Sequence, residues 1–82
     1  MDVAVRLAVL EALARRGTDH EYERPLILEY SHAEIDFAVA ELRLGGYVQA
    51  RLIPRHSGGH PEHWAPSVLT AKGRHLLKGI TR

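Results

Sequence analysis

The feature that most constrains the fold is the run YSHAEIDFAVAELRLGGY, which predicts a helix with both ends marked. Ser31 suits the N-cap position, and the Glu34 side chain can return a hydrogen bond to the backbone of the cap. Two glycines, Gly45 and Gly46, follow the last periodic apolar residue, and glycine commonly follows the end of a helix. We therefore predict a helix that begins after Ser31 and ends near Leu44.

This predicted helix has two apolar faces. A period of 3.6 residues gives an expected core face that consists of Ile35, Ala38, Val39 and Leu42. The opposite face is also apolar, with Glu34 and Glu41 on one margin and Asp36 and Arg43 on the other. Either a second element of the same domain covers it, or it binds a partner protein through Ala33, Phe37, Ala40, Glu41 and Leu44.

Length and composition predict one domain over residues 1–82, just large enough for a single hydrophobic core. The absence of cysteine excludes disulfides and thiolate metal sites. No apolar run approaches the roughly 20 residues that cross a bilayer. We therefore expect a cytoplasmic protein. The net charge is +1 but unevenly distributed, because residues 45–82 carry six Lys or Arg against one acid, whereas residues 31–44 carry one Arg against three acids.

The segment before the central helix begins with a predicted helix, Val3–Ala14, whose apolar arc is wide. Either neighbouring helices bury this arc from two sides or a second copy of the chain does, and we expect a homodimer through this helix. Polar residues at Thr18–Arg24 predict a loop. Pro25 then precedes an apolar run, and we predict a short first strand at Leu26–Leu28.

The segment after the central helix predicts a β-hairpin and a last helix. Apolar and polar residues alternate over Val48–Leu52, which is typical of a half-buried strand, and we predict that strand within Tyr47–Ile53. The glycine-containing run Arg55–Pro61 predicts a turn, and a return strand should follow at about Glu62–Leu69. Pro66 within it indicates an edge position or a bulge. Thr70 can cap a last helix with apolar anchors at Leu76, Leu77 and Ile80.

The runs LRLGGYVQARLI and VLTAKGRHLL, with the glycine-rich turn between them, resemble small winged-helix proteins, particularly a family of unassigned function that is common in prophages. The resemblance implies an α+β winged helix with three helices, a short first strand and a two-stranded wing. It also implies DNA binding, with the Ser31–Leu44 helix in the major groove and the turn around Gly58 on the backbone or minor groove. A small transcriptional regulator of a phage or mobile element would fit it.

The charges support DNA binding through the hairpin and last helix better than through the central helix. The candidate DNA-binding residues are Arg43, Arg51, Arg55, His56, His60, Lys72, Arg74 and Lys78, and all of them except Arg43 would meet phosphates. The central helix is a poor reader of bases, because only Arg43 on it can make a bidentate contact. The alternative is a protein-interaction module, for example a phage-encoded inhibitor of a host protein, that uses the second apolar face of this helix.

Other chemistry is weaker in this sequence. Three histidines, His56, His60 and His63, are spaced so that they could meet on zinc or nickel, but no cysteine completes such a site and we interpret them as solvated. No nucleophile or phosphate-loop context is present. We therefore expect no cofactor, no metal and no enzymatic activity. Trp64 is expected to pack the return strand onto the core.

Overall fold

The computed structural model describes residues 3–55 and 61–80. These residues form an α+β domain with three helices and a two-stranded antiparallel sheet. The elements in chain order are α1 (Val3–Ala14), α2 (His32–Leu44), β1 (Val48–Ile53), β2 (His63–Leu69) and α3 (Ala71–Ile80). The predicted helices and both strands of the predicted hairpin are therefore confirmed.

Both predicted ends of α2 are formed by the residues that predicted them. The Glu34 amide donates to Ser31 Oγ at 3.1 Å, and the Ser31 amide donates to Glu34 Oε1 at 3.0 Å, which completes a capping box. At the other end the Gly45 amide donates to the Glu41 carbonyl at 3.1 Å. Gly46 then has a φ of +80°, a conformation that glycine adopts at little cost. Local hydrogen bonds therefore fix where α2 begins and ends.

The wide apolar arc of α1 is largely covered within the chain, because α1 contacts α2, β2 and α3. Its buried residues are Val5, Val9, Leu10 and Leu13. Val3 and Ala14, the first and last residues of α1, are exposed instead. Of the two explanations for the arc, burial by neighbouring elements accounts for most of it. A homodimer would therefore have to use another part of α1.

The sheet is irregular beside the proline, as the sequence predicts. Val48 pairs with Leu69 but Ala50 pairs with Pro66, so the register shifts between the two positions of β1. Such a bulge accommodates a residue that has no amide to donate. The predicted glycine tip of the hairpin, with His56 and His60, lies outside the described residues.

The predicted short strand at Leu26–Leu28 is wrong, because no strand lies between α1 and β1. Carbonyl groups of β2 that face this region have other partners. Arg16 Nη1 donates to the carbonyls of Pro66 at 2.8 Å and Ser67 at 3.0 Å. The Glu23 amide adds one backbone bond to the Pro66 carbonyl. These β2 carbonyls are therefore satisfied by one arginine side chain and one backbone hydrogen bond, without a third strand.

The start of α3 is tied to the end of α2. Thr70 Oγ1 accepts from the Gly73 amide at 3.0 Å and donates to the Gly46 carbonyl at 2.6 Å, so Thr70 caps α3 as predicted. A Cβ on Gly73 would overlap the carbonyl oxygen of Tyr47. The Leu-Thr-x-x-Gly sequence at 69–73 is therefore explained by a cap and by close packing of two backbones.

Candidate functional site

The face of α2 opposite the core is open to solvent in the described structure. We name it the α2 outer strip, and its residues are Ala33, Phe37, Ala40 and Leu44. Phe37 is 60% exposed and Leu44 is 78% exposed, whereas the residues of the predicted core face are all buried. Of the two alternatives for this face, cover by another element of the domain is not seen within residues 3–55 and 61–80. A large exposed apolar surface on a small domain is typical of a binding site.

Asp36, the one acidic residue on one margin of the strip, is neutralised within the chain. Arg24 Nε donates to Asp36 Oδ1 at 2.7 Å and Arg24 Nη2 donates to Asp36 Oδ2 at 2.8 Å, a bidentate pair with both side chains about four-fifths buried. This hydrogen bonding raises the pKa of Arg24 further above neutrality. Asp36 therefore contributes little charge to the surface.

The other margin carries two carboxylates without an ion-pair partner among the described residues. Glu34 is exposed and binds only the backbone of the N-cap. Glu41 is half-buried, and its Oε1 is buried without a hydrogen-bond partner in the described structure. The strip thus has one anionic margin, whereas the other, where Arg24 offsets Asp36 and Arg43 is exposed, carries no excess of acid.

Arg43 does not extend from α2 as a free base-reading side chain. Its guanidinium lies over the Trp64 ring, 3.8 Å from the centroid. Trp64 in turn packs against the core, as predicted. A cation that stacks on an aromatic face is stabilised by the ring quadrupole, so moving the guanidinium away from the ring costs free energy. This contact weakens the role of Arg43 as a bidentate reader of a base.

Three further cations of the predicted DNA-binding set also make contacts within the chain. Lys72 Nζ donates to the Gly45 carbonyl at 2.7 Å and lies over the Tyr47 ring at 4.7 Å. Arg74 Nη1 donates to the Leu69 carbonyl at 3.0 Å. Arg51 is exposed, with its guanidinium 5.6 Å from the centroid of the Tyr22 ring. Lys72 thus ties α3 to the end of α2, and Arg74 ties it to the end of β2, so both have a structural role.

The remaining members of that set differ in what the structure describes. Arg55 and Lys78 are exposed, and neither side chain makes a hydrogen bond or ion pair within residues 3–55 and 61–80. His56 and His60 lie outside the described residues. Within those residues no group of three His, Cys, Asp or Glu is placed to hold a metal ion.

A second exposed apolar surface was missed by the sequence reasoning. Leu26 is 86% exposed and Leu28 is 87% exposed, while Ile27 between them packs against the core. The segment runs beside α1, and the two enclose an open groove of about 530 Å³. We name it the α1 groove, and its lining consists of Ala4, Leu7, Ala8, Glu11, Ala12, Arg15 and residues 26–30. The apolar run Leu-Ile-Leu was visible in the sequence, but because we interpreted it as a strand we did not expect its two leucines to be exposed.

No helix in the described part of the chain is both long and apolar enough to span a membrane. Comparison of the chain with family models, curated proteins and solved structures gave no match.

Proposed function

We propose that this domain is a protein-interaction module that binds a cationic, amphipathic helix or peptide on the α2 outer strip. The observation that carries the proposal is the exposure of Phe37 and Leu44 on a helix whose position is fixed at both ends. A few well-packed anchor residues, often aromatic, supply most of the energy in protein interfaces. A rigid helix presents them with little loss of conformational entropy on binding.

The charges support a cationic partner. Glu34 and Glu41 line one margin of the strip without an ion-pair partner in the described structure, and Arg24 neutralises Asp36 on the other. An acidic ligand such as a DNA backbone would meet repulsion at the first margin, whereas lysines or arginines on a partner would gain attraction there. The proposed occupant is therefore an apolar helix face with cations along one edge.

The proposed fold is a winged helix, supported by the order of α1, α2, β1, β2 and α3. In this interpretation α2 occupies the place of the helix that reads DNA in related folds, but its surface suits a protein. The chain has no further helix between α1 and α2. An inhibitor of a host protein, encoded by a phage or mobile element, remains the biological setting that we propose for such a module.

The test uses two synthetic helical peptides about as long as α2, both with leucines on one face. One carries lysines along one edge, and the other carries glutamates there. We expect the lysine peptide to bind and to shift the amide NMR signals of α2. Phe37→Asp should weaken its binding by at least about 30-fold, the loss typical of a hot spot.

The matched control is Val3→Asp, an equally large change at a residue that is 64% exposed on α1. It should leave the affinity for the lysine peptide unchanged. Glu34→Gln retains the capping hydrogen bond while removing the charge. It should therefore weaken binding of the lysine peptide without destabilising α2. Equal binding of both peptides, or no binding of either, would contradict the proposal.

Duplex DNA is the second candidate ligand, favoured by the exposed Arg55 and Lys78 that make no ion pair in the described structure and by the excess of cations in residues 45–82. A duplex of about 20 base pairs should then bind with an affinity that falls steeply between 50 and 200 mM salt. Arg55→Ala should weaken it, whereas Phe37→Asp should not. Affinity that is independent of salt would exclude this candidate.

A further inference from the structure

We propose that the α1 groove is an interface between two copies of this chain related by a two-fold axis. The inference is independent of the α2 outer strip, because it concerns another face of the molecule and another set of residues. Three observations support it: the shape of the surface, the exposure of its leucines and the signs of the charges on its rim.

The surface has protruding and concave parts side by side. Leu26 and Leu28 project from an irregular segment and are more than four-fifths exposed. Beside them is the open groove of about 530 Å³, whose wall on α1 carries the small side chains of Ala4, Ala8 and Ala12 one helical turn apart. In a two-fold contact the same patch of each copy meets the other. The projecting leucines of each copy can therefore enter the groove of its partner.

The exposure of two adjacent leucines requires an explanation. Single exposed apolar residues are common on soluble proteins, but two large ones that line one open groove form a patch. Ile27 between them packs against the core, so the backbone of the segment is held in place. The buried Pro25 precedes it. The two leucines are therefore held outward and do not simply belong to a mobile loop.

The rim carries charges of both signs, from Glu11, Arg15 and Glu29, which suits a second copy better than a ligand of one sign. Glu11 and Arg15 are exposed one helical turn apart on α1, and neither has an ion-pair partner among the described residues. When two copies pack with these turns facing each other about a two-fold axis, Glu11 of each faces Arg15 of the other. The α2 outer strip lacks this property, since its charged margin is acidic and two copies of it would repel.

The association is tested by sedimentation of the full chain at increasing concentration. We expect the wild-type protein to form a dimer in a reversible, concentration-dependent way. Leu26→Asp and Leu28→Asp should each weaken dimerisation by about 100-fold or more, because each change removes two buried leucines per dimer. The control is Leu44→Asp on the α2 outer strip, which should leave the dimer unchanged.

A charge-reversal experiment tests the two-fold arrangement itself. Glu11→Arg alone places two arginines against two arginines across the interface, and Arg15→Glu alone places glutamates against glutamates, so each variant should be monomeric. Mixed together, they should form a heterodimer, because both facing pairs are then attractive. A change confined to the stability of α1 would not be restored by mixing.

Several outcomes overturn the inference. A monomer at every concentration up to about 1 mM would show that no such dimer has useful affinity. A dimer that Leu44→Asp disrupts and Leu28→Asp does not would place the interface on α2. Failure of the two charge-reversal variants to associate when mixed would refute the facing of Glu11 and Arg15. The first and third results would leave the peptide experiment on the α2 outer strip unchanged, so the two proposals can fail separately.

Discussion

The α2 outer strip and the α1 groove both expose large apolar side chains, but the chain supports them in different ways. Phe37 and Leu44 stand on a regular helix whose ends are marked by local hydrogen bonds. Leu26 and Leu28 stand on an irregular segment that is held by neighbouring side chains and by the inward-facing Ile27. A regular helix therefore presents one surface, and tertiary contacts present the other.

Their charges differ as well. The strip has an acidic margin with Glu34 and Glu41, whereas the rim of the groove carries Glu11, Arg15 and Glu29. Unlike charges on one patch suit self-association, and like charges suit a partner of the opposite sign. The comparison teaches that exposed apolar area alone does not identify a partner, because the charges around it decide which kind of partner fits.

The largest expected effect tests the support of the α2 outer strip. Gly73→Ala places a methyl group against the Tyr47 carbonyl oxygen, where α3 meets the chain that follows α2. We expect a loss of about 3 kcal/mol or more in the free energy of unfolding, measured by urea denaturation, because backbones must separate.

Gly79 in the same helix provides the matched control. A Cβ there has no other atom within 4 Å. Gly79→Ala should therefore leave stability unchanged or raise it by up to about 1 kcal/mol, since alanine favours the helix. Equal destabilisation by the two variants would show that the close approach at Gly73 is not the cause.

The next effect concerns the irregular segment. Arg16 donates to the carbonyls of Pro66, Ser67 and Glu23, and burial lowers the pKa of its guanidinium while the charge of Glu23 raises it. Arg16→Ala should cost about 2 to 3 kcal/mol in calorimetry, because buried carbonyls lose a charged donor. Arg16→Lys should recover little of this, since one ammonium cannot reach both chain segments. Full recovery by lysine would contradict the proposed geometry.

An effect of similar size is expected at the Arg24–Asp36 pair beside the α2 outer strip. Arg24→Ala leaves the carboxylate of Asp36 largely buried without its bidentate partner, and we expect a loss of about 2 kcal/mol in the free energy of unfolding. A double-mutant cycle with Asp36→Ala should return a coupling energy of about 1 kcal/mol or more. Additive effects would show that the pair contributes no net stability. The variant should also reduce the positive charge on that margin of the α2 outer strip, where Arg43 remains.

A smaller effect is expected at the start of α2. Ser31→Ala removes the acceptor of the Glu34 amide and should cost about 1 kcal/mol. Ser31→Asp retains an acceptor and serves as the control, with a change near zero. Chemical denaturation measures both. If Ser31→Ala proved neutral, the capping box would not contribute to fixing the strip.

The smallest expected change is in the folding of Leu28→Asp. The side chain is 87% exposed, so the free energy of unfolding of the monomer should change by less than about 0.5 kcal/mol. Circular dichroism at a concentration below dimerisation measures it. A large loss of stability would mean that Leu28 packs within the monomer, and the comparison of the two surfaces would then fail.

Much of the fold could be predicted because its signals are local. The capping box of Ser31 and Glu34, the glycines after α2 and the cap at Thr70 each act within a few residues of the feature that they predict. The segment from Thr18 to Tyr30 lacks such signals. Its course depends on Arg16, which is distant in sequence from the β2 carbonyls that it binds.

The candidate site was predictable in part for the same reason. The period of α2 identified the outer strip, but whether another element covers it depends on packing between distant parts of the chain. The neutralisation of Asp36 by Arg24 joins residues on two different elements, and no local spacing indicates it. Sequence therefore located the strip, while the structure revealed its exposure and the charge of its margins.

The one-sided charge of the α2 outer strip has a consequence for the direction of a bound helix. Because Arg24 neutralises Asp36, only the margin with Glu34 and Glu41 attracts cations. Turning a docked helix end for end exchanges its left and right edges. A ligand with lysines on one edge alone therefore has a single favourable polarity, which can be read from its helical wheel before any complex is seen.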